Sequence, residues 1–288
     1  MDRRRFLVAV GAAAGLTGCM GGSSDGTPTD AGPGNRGADG GTPEPISAEN
    51  DGYPDPSVID ETPPAPDADT SSFQTITYEQ GIEVPLVPID VAYDWYRRRE
   101  ARFADARGQR QYATSHITGA VLSPASGRQN DPAAAWPEGD RIVTYCGCPH
   151  HLSSMRAAQF YQNGYEEVYA IDEGFWEWHR LDYPMTGENV EYQPYGHVIE
   201  GAADPASAGE YAWARTADGE QEEARPIGPD GSYELVLHFA DVTDGTPITV
   251  ETPTYSLTRP LGELTDGVVT REGAVAGGRG TAGGARRS

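Results

Sequence analysis

Two cysteines separated by a single glycine, Cys146 and Cys148, are the residues of this sequence best suited to carry out chemistry. They follow the apolar run at 142–145, which predicts a strand, and precede residues 153–163, whose pattern predicts a helix. A thiol in a loop before a helix lies near backbone amides and near the positive end of the helix dipole. Both features lower the pKa of a thiol and favour the nucleophilic thiolate. The spacing therefore predicts a reactive cysteine in this loop.

Two histidines on the same loop, His150 and His151, allow a second interpretation. Two thiols and two imidazoles this close together are ligands suited to soft ions such as copper(I) or zinc, or to a redox site. All four lie on one tight loop, and the sequence holds no second cluster of this kind. A disulfide between cysteines one residue apart closes a strained, easily reduced ring. We therefore predict a site without metal and keep the thiol–imidazole module as the alternative.

The elements that must position this loop alternate between strands and helices. Patterned runs predict strands at 103–107, 141–145 and 167–171 and helices at 90–100, 109–115, 153–163 and 175–180. Such alternation predicts an α/β domain, a parallel sheet flanked by helices, over residues 84–188. Beyond residue 192 the period changes to two, with turn signals between the runs, which predicts a small all-β sandwich over 192–260.

The charge of the chain excludes one class of partner. The sequence has 44 acidic side chains and 21 basic ones, all of them arginine, for a net charge of -23. Nothing in it forms a basic stripe, so we expect no nucleic-acid partner. An acidic excess without lysine is typical of adaptation to high salt, where hydrated carboxylates interact with cations. We therefore expect the protein of a halophile.

The first 19 residues have the pattern of an export signal. Three arginines at positions 3–5 precede an apolar run that is too short to span a bilayer, and the segment resembles a twin-arginine (Tat) signal. The run ends in Leu16-Thr17-Gly18-Cys19, which resembles a lipoprotein cleavage box, whose cysteine receives a lipid and becomes the mature N-terminus. We expect an exported lipoprotein, anchored to the outer face of the cell membrane through Cys19.

The segments on either side of the two predicted domains have a composition of low complexity. Residues 20–75 are rich in Gly, Pro, Asp, Ser and Thr, which predicts a disordered acidic linker between the anchor and the first domain. Residues 272–288 are rich in Gly, Ala and Arg and predict a disordered tail.

The first predicted domain resembles the rhodanese family of sulfurtransferases. The resemblance depends on the order of five motifs: Asp105-Ala106-Arg107, His116-Ile117-Thr118-Gly119-Ala120, Ile142-Val143-Thr144-Tyr145-Cys146, residues 164–169, and Asp172-Glu173-Gly174-Phe175-Trp176-Glu177-Trp178. It implies a rhodanese-like fold and a persulfide mechanism. In that mechanism a cysteine thiolate takes the outer sulfur of a donor such as thiosulfate or a persulfide and passes it to a nucleophile. The implied partner is a small sulfur-containing anion, or a thiol or persulfide, and no metal or organic cofactor is implied.

The resemblance leaves two candidates for the nucleophile. In ordinary rhodaneses the catalytic cysteine lies six positions before a Ser or Thr that opens the next helix, and Cys148 has this spacing to Ser154. An Ala-Ala pair follows in the family, as Ala157-Ala158 does here. Counted from the preceding strand, Cys146 takes the place of the nucleophile and the loop is two residues longer. We favour Cys148, because the effect of a helix dipole fades within one turn.

The resemblance also implies which residues bind the donor: Gly147, His150, His151, Leu152, Ser153 and Ser154 of the loop, with Arg107 lining the pocket. The two histidines stand where the family often has an arginine, so the loop departs from the pattern that suits anionic donors. A further alternative is a catalytically silent domain. In it, the rhodanese-like unit and the β-sandwich would form a recognition surface for an unidentified protein partner.

Overall fold

The computed structural model describes residues 51–59, 62, 64, 68–78 and 81–275. Strands and helices alternate in the first domain, which confirms the predicted α/β class, and α2 and α4 begin at the predicted residues. The elements of this domain are β1 (Thr75–Tyr78), β2 (Ile82–Val87), α1 (Ile89–Arg98), β3 (Arg102–Asp105), α2 (Gln109–Thr114), β4 (His116–Ile117), β5 (Val121–Leu122), β6 (Ile142–Tyr145), α3 (Leu152–Gln162), β7 (Val168–Ile171), α4 (Phe175–Arg180) and β8 (Met185–Thr186).

Six of these strands form one sheet in the order β1-β2-β7-β6-β3-β5. The outer pair β1 and β2 is antiparallel, and the other neighbours are parallel. Every residue of β6 and β7 is buried, because helices cover both faces of the sheet. One face packs against α1 and α4 through residues such as Tyr96 and Trp178, and the other packs against α3 through Ala157 and Phe160.

The parallel strands β3 and β6 place two of the predicted motifs at one edge of the sheet. Asp105, the last residue of β3, lies opposite Tyr145, the last residue of β6. The loops that follow these strands, 106–108 and 146–151, therefore leave the sheet side by side. The carboxyl ends of parallel strands are the usual place for binding sites in such folds.

Some residues within the predicted linker 20–75 are ordered. The N–H of Phe103 donates to the carbonyl of Gly52 at 2.7 Å. The ring of Phe73 meets that of Tyr169 edge-on, with the ring centroids 6.0 Å apart. The described part of this segment thus belongs to the folded domain, held by contacts with residues distant in sequence that its composition does not indicate.

The second domain consists of two four-stranded sheets, in the orders β11-β10-β13-β14 and β12-β9-β15-β16. All neighbouring strands are antiparallel except β9 and β15, which are parallel. Both sheets contribute to one apolar core, the first through Ala214 and Val250 and the second through Ile199 and Leu235. Its elements are β9 (His197–Ala202), β10 (Tyr211–Thr216), β11 (Glu222–Pro226), β12 (Ser232–Leu237), β13 (Pro247–Thr252), β14 (Tyr255–Pro260), α5 (Leu261–Thr265), β15 (Val268–Thr270) and β16 (Gly273–Val275).

This sandwich continues past the predicted boundary at residue 260 and takes in residues 272–275 of the predicted tail through β16. The rest of that tail, and the predicted export signal with Cys19, lie outside the described residues. Within the described part of the chain, no helix combines the length and the apolar character needed to cross a membrane.

The second domain packs against the edge of the first domain that carries the 146–151 loop. The N–H of Glu222, the first residue of β11, donates to Oε1 of Gln111 on α2 at 3.2 Å. Ala224, also on β11, belongs to the same apolar cluster as Cys146. Strand β11 thus lies over the loop that holds the two thiols.

Candidate active site

The loop between β6 and α3 holds both predicted nucleophiles underneath the second domain. Both cysteines are free thiols. Cys146 is 0 % exposed and Cys148 is 9 % exposed. The carbonyl of Cys146 accepts the N–H of Phe175 at 2.8 Å, which ties the loop to the start of α4. In this closed arrangement the thiols are shielded from solvent.

Cys146 lies beside the hydrogen-bond donors of the first turn of α3. Its Sγ lies 3.3 Å from Oγ of Ser153. Burial, with the carboxyl of Glu223 as the second cause, raises the pKa of the Cys146 thiol to about 11. The hydroxyl and amide of Ser153 and the amide of His151 oppose this rise. The protonated thiol donates to the carbonyl of Cys148 at 2.9 Å.

Cys148 lies beside acceptors instead. Its Sγ lies 3.6 Å from Nδ1 of His238 and 3.8 Å from the carbonyl of Val236. Burial raises the pKa of the Cys148 thiol, Glu223 adds to the rise, and Arg225 opposes it. The two thiols therefore differ in their surroundings: groups that can donate to a thiolate lie beside Cys146, whereas the atoms that contact Cys148 Sγ are acceptors.

These positions bear on the choice of nucleophile. We expected the helix dipole to act on Cys148, but in the structure it is the Cys146 thiol that contacts Ser153 in the first turn of α3. The spacing to Ser154 still indicates Cys148. The assignment of Cys148 stays a prediction.

The two loop histidines turn to different partners. Nε2 of His150 lies 3.5 Å from the carboxylate of Asp172. Nε2 of His151 accepts a hydrogen bond from the guanidinium of Arg225. Burial, reinforced by Arg225 and His150, lowers the pKa of His151 to about 3. Among the described residues, no group of three or more His, Cys, Asp or Glu side chains could hold a metal ion.

Three buried nitrogen atoms at the loop lack a hydrogen-bond partner in the described structure: Nδ1 of His150, Nδ1 of His151 and Nε1 of Trp176. Arg225 can only donate, so its bond to Nε2 of His151 leaves the proton of that ring on Nδ1. The indole nitrogen of Trp176 lies against the loop, where a Cβ at Gly147 would come within 3.1 Å of it. At least two N–H donors at this loop thus lack an acceptor, which an anionic ligand would supply.

Arg107, which we expected to line the pocket, belongs to a buried ion pair. Its guanidinium donates to the two carboxylate oxygens of Asp105 at 2.9 and 2.7 Å and to the carbonyl of Ser115 at 2.7 Å. Its central carbon lies 4.0 Å from the ring centre of Phe175. Only 1 % of Arg107 is exposed. The side chain therefore organises the turn after β3, and in this conformation its contacts are structural.

The remaining predicted loop residues differ in what they contact. Leu152 is fully buried in the apolar cluster that contains Cys146. Oγ of Ser154, in the first turn of α3, donates to the carbonyl of His151 at 3.1 Å. Oγ of Ser153 contacts the Cys146 thiol, and Gly147 lies against the indole of Trp176.

Three residues of the second domain, Glu223, Arg225 and His238, lie at this loop, although no sequence motif indicates that position. Glu223 is buried on β11, which raises its pKa to about 8, and it accepts the N–H of Ala224 at 3.1 Å. Arg225 lies two positions further along β11, on the same side of the strand. The two-residue period of a strand predicts that Glu223 and Arg225 share one face of β11. It does not indicate that this face covers the loop with the two thiols.

Comparisons with known proteins match the first domain. The family profile of the rhodanese-like domain matches residues 89–181. Thiosulfate sulfurtransferase GlpE from two strains of Vibrio cholerae serotype O1 is 30% identical over 101 residues, which covers 34% of this chain and 92% of the relative. The human single-domain sulfurtransferase TSTD1 shares 21% identity over 34% of this chain and 96% of its own, with a TM-score of 0.31. The rhodanese-like domain of the Alr3790 protein from Anabaena sp. shares 20% identity over 42% of this chain and 88% of its own, with a TM-score of 0.35.

This chain therefore belongs to the rhodanese-like family through its first domain. The matched residues include the 146–151 loop with both thiols. The second domain, with Glu223, Arg225 and His238, lies outside the matched segment.

Proposed function

We propose that this protein is a sulfurtransferase that carries sulfane sulfur as a persulfide on a cysteine of the 146–151 loop. The observation that carries the proposal is the pair of free thiols at the start of α3, with Oγ of Ser153 3.3 Å from Sγ of Cys146. Membership of the rhodanese-like family, and relatives that are named thiosulfate sulfurtransferase, support the same class of reaction.

The reaction consists of two displacements at sulfur. A loop thiolate attacks the outer sulfur of the donor. With thiosulfate, the S–S bond breaks, sulfite leaves with the electron pair, and the cysteine becomes a persulfide. An acceptor thiolate or cyanide then attacks the outer sulfur, and the cysteine thiolate leaves. Around Cys146, the amides of His151 and Ser153 are placed to stabilise the negative charge that develops on sulfur.

Access to the fully buried Cys146 thiol requires the second domain to withdraw from the loop. Burial is the largest cause of the raised pKa of Cys146, and the opposing donors belong to the first domain. Opening would therefore lower this pKa, because solvent would return while the donors stay in place. The closed form thus keeps the Cys146 thiol protonated, and the open form exposes this thiol beside its hydrogen-bond donors.

The donor that suits this site is anionic. The unpartnered N–H groups of His151 and Trp176 and the guanidinium of Arg225 all favour negative charge near the loop. Thiosulfate, or the persulfide of a small thiol, meets this requirement. The acceptor is a thiol or a further persulfide carrier.

We also propose that the protein acts outside the cell of a halophile, as a lipoprotein anchored through Cys19. The arginine-containing signal, the Leu16-Thr17-Gly18-Cys19 box and the net charge of -23 without lysine support this location. Mass spectrometry of the protein from the membrane fraction tests it. A lipid-modified Cys19 at the N-terminus supports the anchor, and an unmodified Met1 contradicts it.

The activity is tested by sulfane-sulfur transfer from thiosulfate to cyanide or a thiol, with Cys146→Ser and Cys148→Ser measured separately. We expect the wild-type protein to transfer sulfur and the variant of the nucleophile to lose transfer. Cys19→Ser makes the same change outside the loop and should retain the transfer rate. Absence of transfer by the wild-type protein favours the silent recognition domain, and unchanged rates in both loop variants contradict the persulfide mechanism.

A further inference from the structure

A histidine of the second domain lies within hydrogen-bonding distance of a loop thiol. His238 directly follows β12, and its Nδ1 lies 3.6 Å from Sγ of Cys148. The ring of Trp176 packs beside it, with the ring centroids 5.5 Å apart, and restricts its orientation. The imidazole is therefore held against the thiol by an aromatic side chain of the first domain.

The surroundings of Cys148 make this histidine the group that can take its proton. The carbonyl of Val236, the other acceptor near the thiol, is far too weak a base at neutral pH. Burial, with His197 as a second cause, lowers the pKa of His238, so its ring is neutral and can present a lone pair at Nδ1. A neutral imidazole in contact with a thiol is a common arrangement for activating a cysteine.

We propose that His238 is the general base that deprotonates Cys148, so that the second domain supplies a catalytic residue to the rhodanese-like site. One proton moves in this step: the Sγ–H bond of Cys148 breaks, an Nδ1–H bond forms on His238, and a thiolate–imidazolium pair results. The thiolate then attacks the electrophile, and the imidazolium returns its proton once sulfur has been passed on. The role in sulfur transfer rests on the proposed function, whereas the activation of the thiol does not.

The charged and titratable groups that face this pair come from both domains: Cys146 from the loop, Glu223 and Arg225 from β11, and His197 from β9. Arg225 favours the thiolate, whereas ionised Glu223 opposes it. Burial raises the pKa of Glu223 to about 8, so this carboxyl is mostly neutral near pH 7. The pair is therefore expected to work best below the pKa of Glu223.

Alkylation of Cys148 by iodoacetamide tests the proposal without any sulfur donor. The full chain carries Cys146→Ser, and the alkylated loop peptide is quantified by mass spectrometry over time. His238→Gln, which keeps a polar side chain but removes the base, should slow alkylation at pH 7 by about tenfold or more. Glu234→Gln serves as the control, because it introduces a glutamine at an exposed position of β12, outside the groups that face the pair, and should leave the rate within a factor of about two.

Chemical rescue separates a base from a structural side chain. Added imidazole should restore most of the lost rate in His238→Gln, because a small base can take the place of the missing ring. His238→Asn provides the same loss of base with a smaller side chain, in case the glutamine disturbs folding. Rates equal to that of the parent protein in either folded variant, or a loss that imidazole does not restore, would overturn the proposal.

The same experiment distinguishes this inference from the proposed function. Alkylation that depends on His238, in a wild-type protein that transfers no sulfur, would support the activated thiol and contradict the sulfurtransferase. Sulfur transfer by a protein whose Cys148 reacts independently of His238 would support the sulfurtransferase and contradict the role of His238 as a base.

Discussion

The side-chain oxygen of Gln111 accepts the N–H of Glu222 at 3.2 Å, and the same oxygen accepts the N–H of Gly108 at 3.1 Å. One buried amide therefore supports the start of α2 and joins the first domain to the second. Because Glu222 begins the strand that covers the thiols, this bond helps to hold the site closed.

We expect Gln111→Ala to favour the open site. The substitution leaves two buried N–H groups without this acceptor, at a cost of about 1–3 kcal/mol each in the closed form. Alkylation of Cys146 by iodoacetamide, measured in a Cys148→Ser background, should become several-fold faster. Gln162→Ala, at an exposed position at the end of α3, is the matched control. Equal alkylation rates in the two variants would mean that the hydrogen bond between Gln111 and Glu222 does not limit access to Cys146.

We expect Asp105→Asn to reduce stability more than any change at an exposed ion pair. The substitution leaves the guanidinium of Arg107 buried without its counter-charge, which costs about 3–5 kcal/mol. Urea denaturation should show a lower midpoint, whereas Glu177→Gln, which removes the partner of Arg180 at the surface, should change it little. If Asp105→Asn keeps its stability but binds thiosulfate more weakly, Arg107 contacts the donor after all.

Glu223 should make the stability of the protein depend on pH. Burial raises its pKa to about 8 in the folded protein, against about 4.3 in an unfolded chain. Between these values the folded state holds a proton that the unfolded state has released, so stability should fall as pH rises from about 4.3 to about 8. Urea denaturation across this range should show a shallower fall for Glu223→Gln than for the wild-type protein. Glu234→Gln, an exposed change on β12, should keep the wild-type slope.

Arg225 should favour anionic reagents at the loop. Its guanidinium contacts His151, and no described carboxylate forms an ion pair with it. Arg225→Gln should lower the rate of thiol alkylation by the anionic iodoacetate about tenfold, relative to the rate with the neutral iodoacetamide. The same substitution should raise the KM for thiosulfate. The control is Arg259→Gln on β14, away from the loop. An unchanged ratio of the two rates would show that Arg225 does not provide the anion-binding charge.

The parts of this protein that depend on local sequence could be predicted. The helix Phe175–Arg180 has the predicted bounds, and the strand that ends at Tyr145 places the thiols before a helix as expected. Apolar periodicity and helix signals are properties of neighbouring residues, so they can be read from the sequence alone.

The residues that complete the site could not be predicted, because they depend on how distant segments pack. His238 had no ligand-like spacing, yet the docking of β12 brings it to Cys148. The guanidinium of Arg156 on α3 is buried against Asp131 and Ser123, which its charge does not indicate. Both results follow from contacts between segments far apart in the sequence, which periodicity does not specify.

The most direct test of the central claim is the mass of the loop peptide after the protein has been exposed to thiosulfate. The persulfide mechanism predicts a gain of one sulfur atom on Cys146 or Cys148, which a thiol reductant or cyanide removes. Fragmentation of the peptide then identifies the cysteine that carries the sulfur. Alkylation of the loop thiols in a parallel sample shows that the site of the folded protein opens. If the loop peptide of such a protein keeps its mass after exposure to thiosulfate, this result contradicts sulfur transfer through the loop.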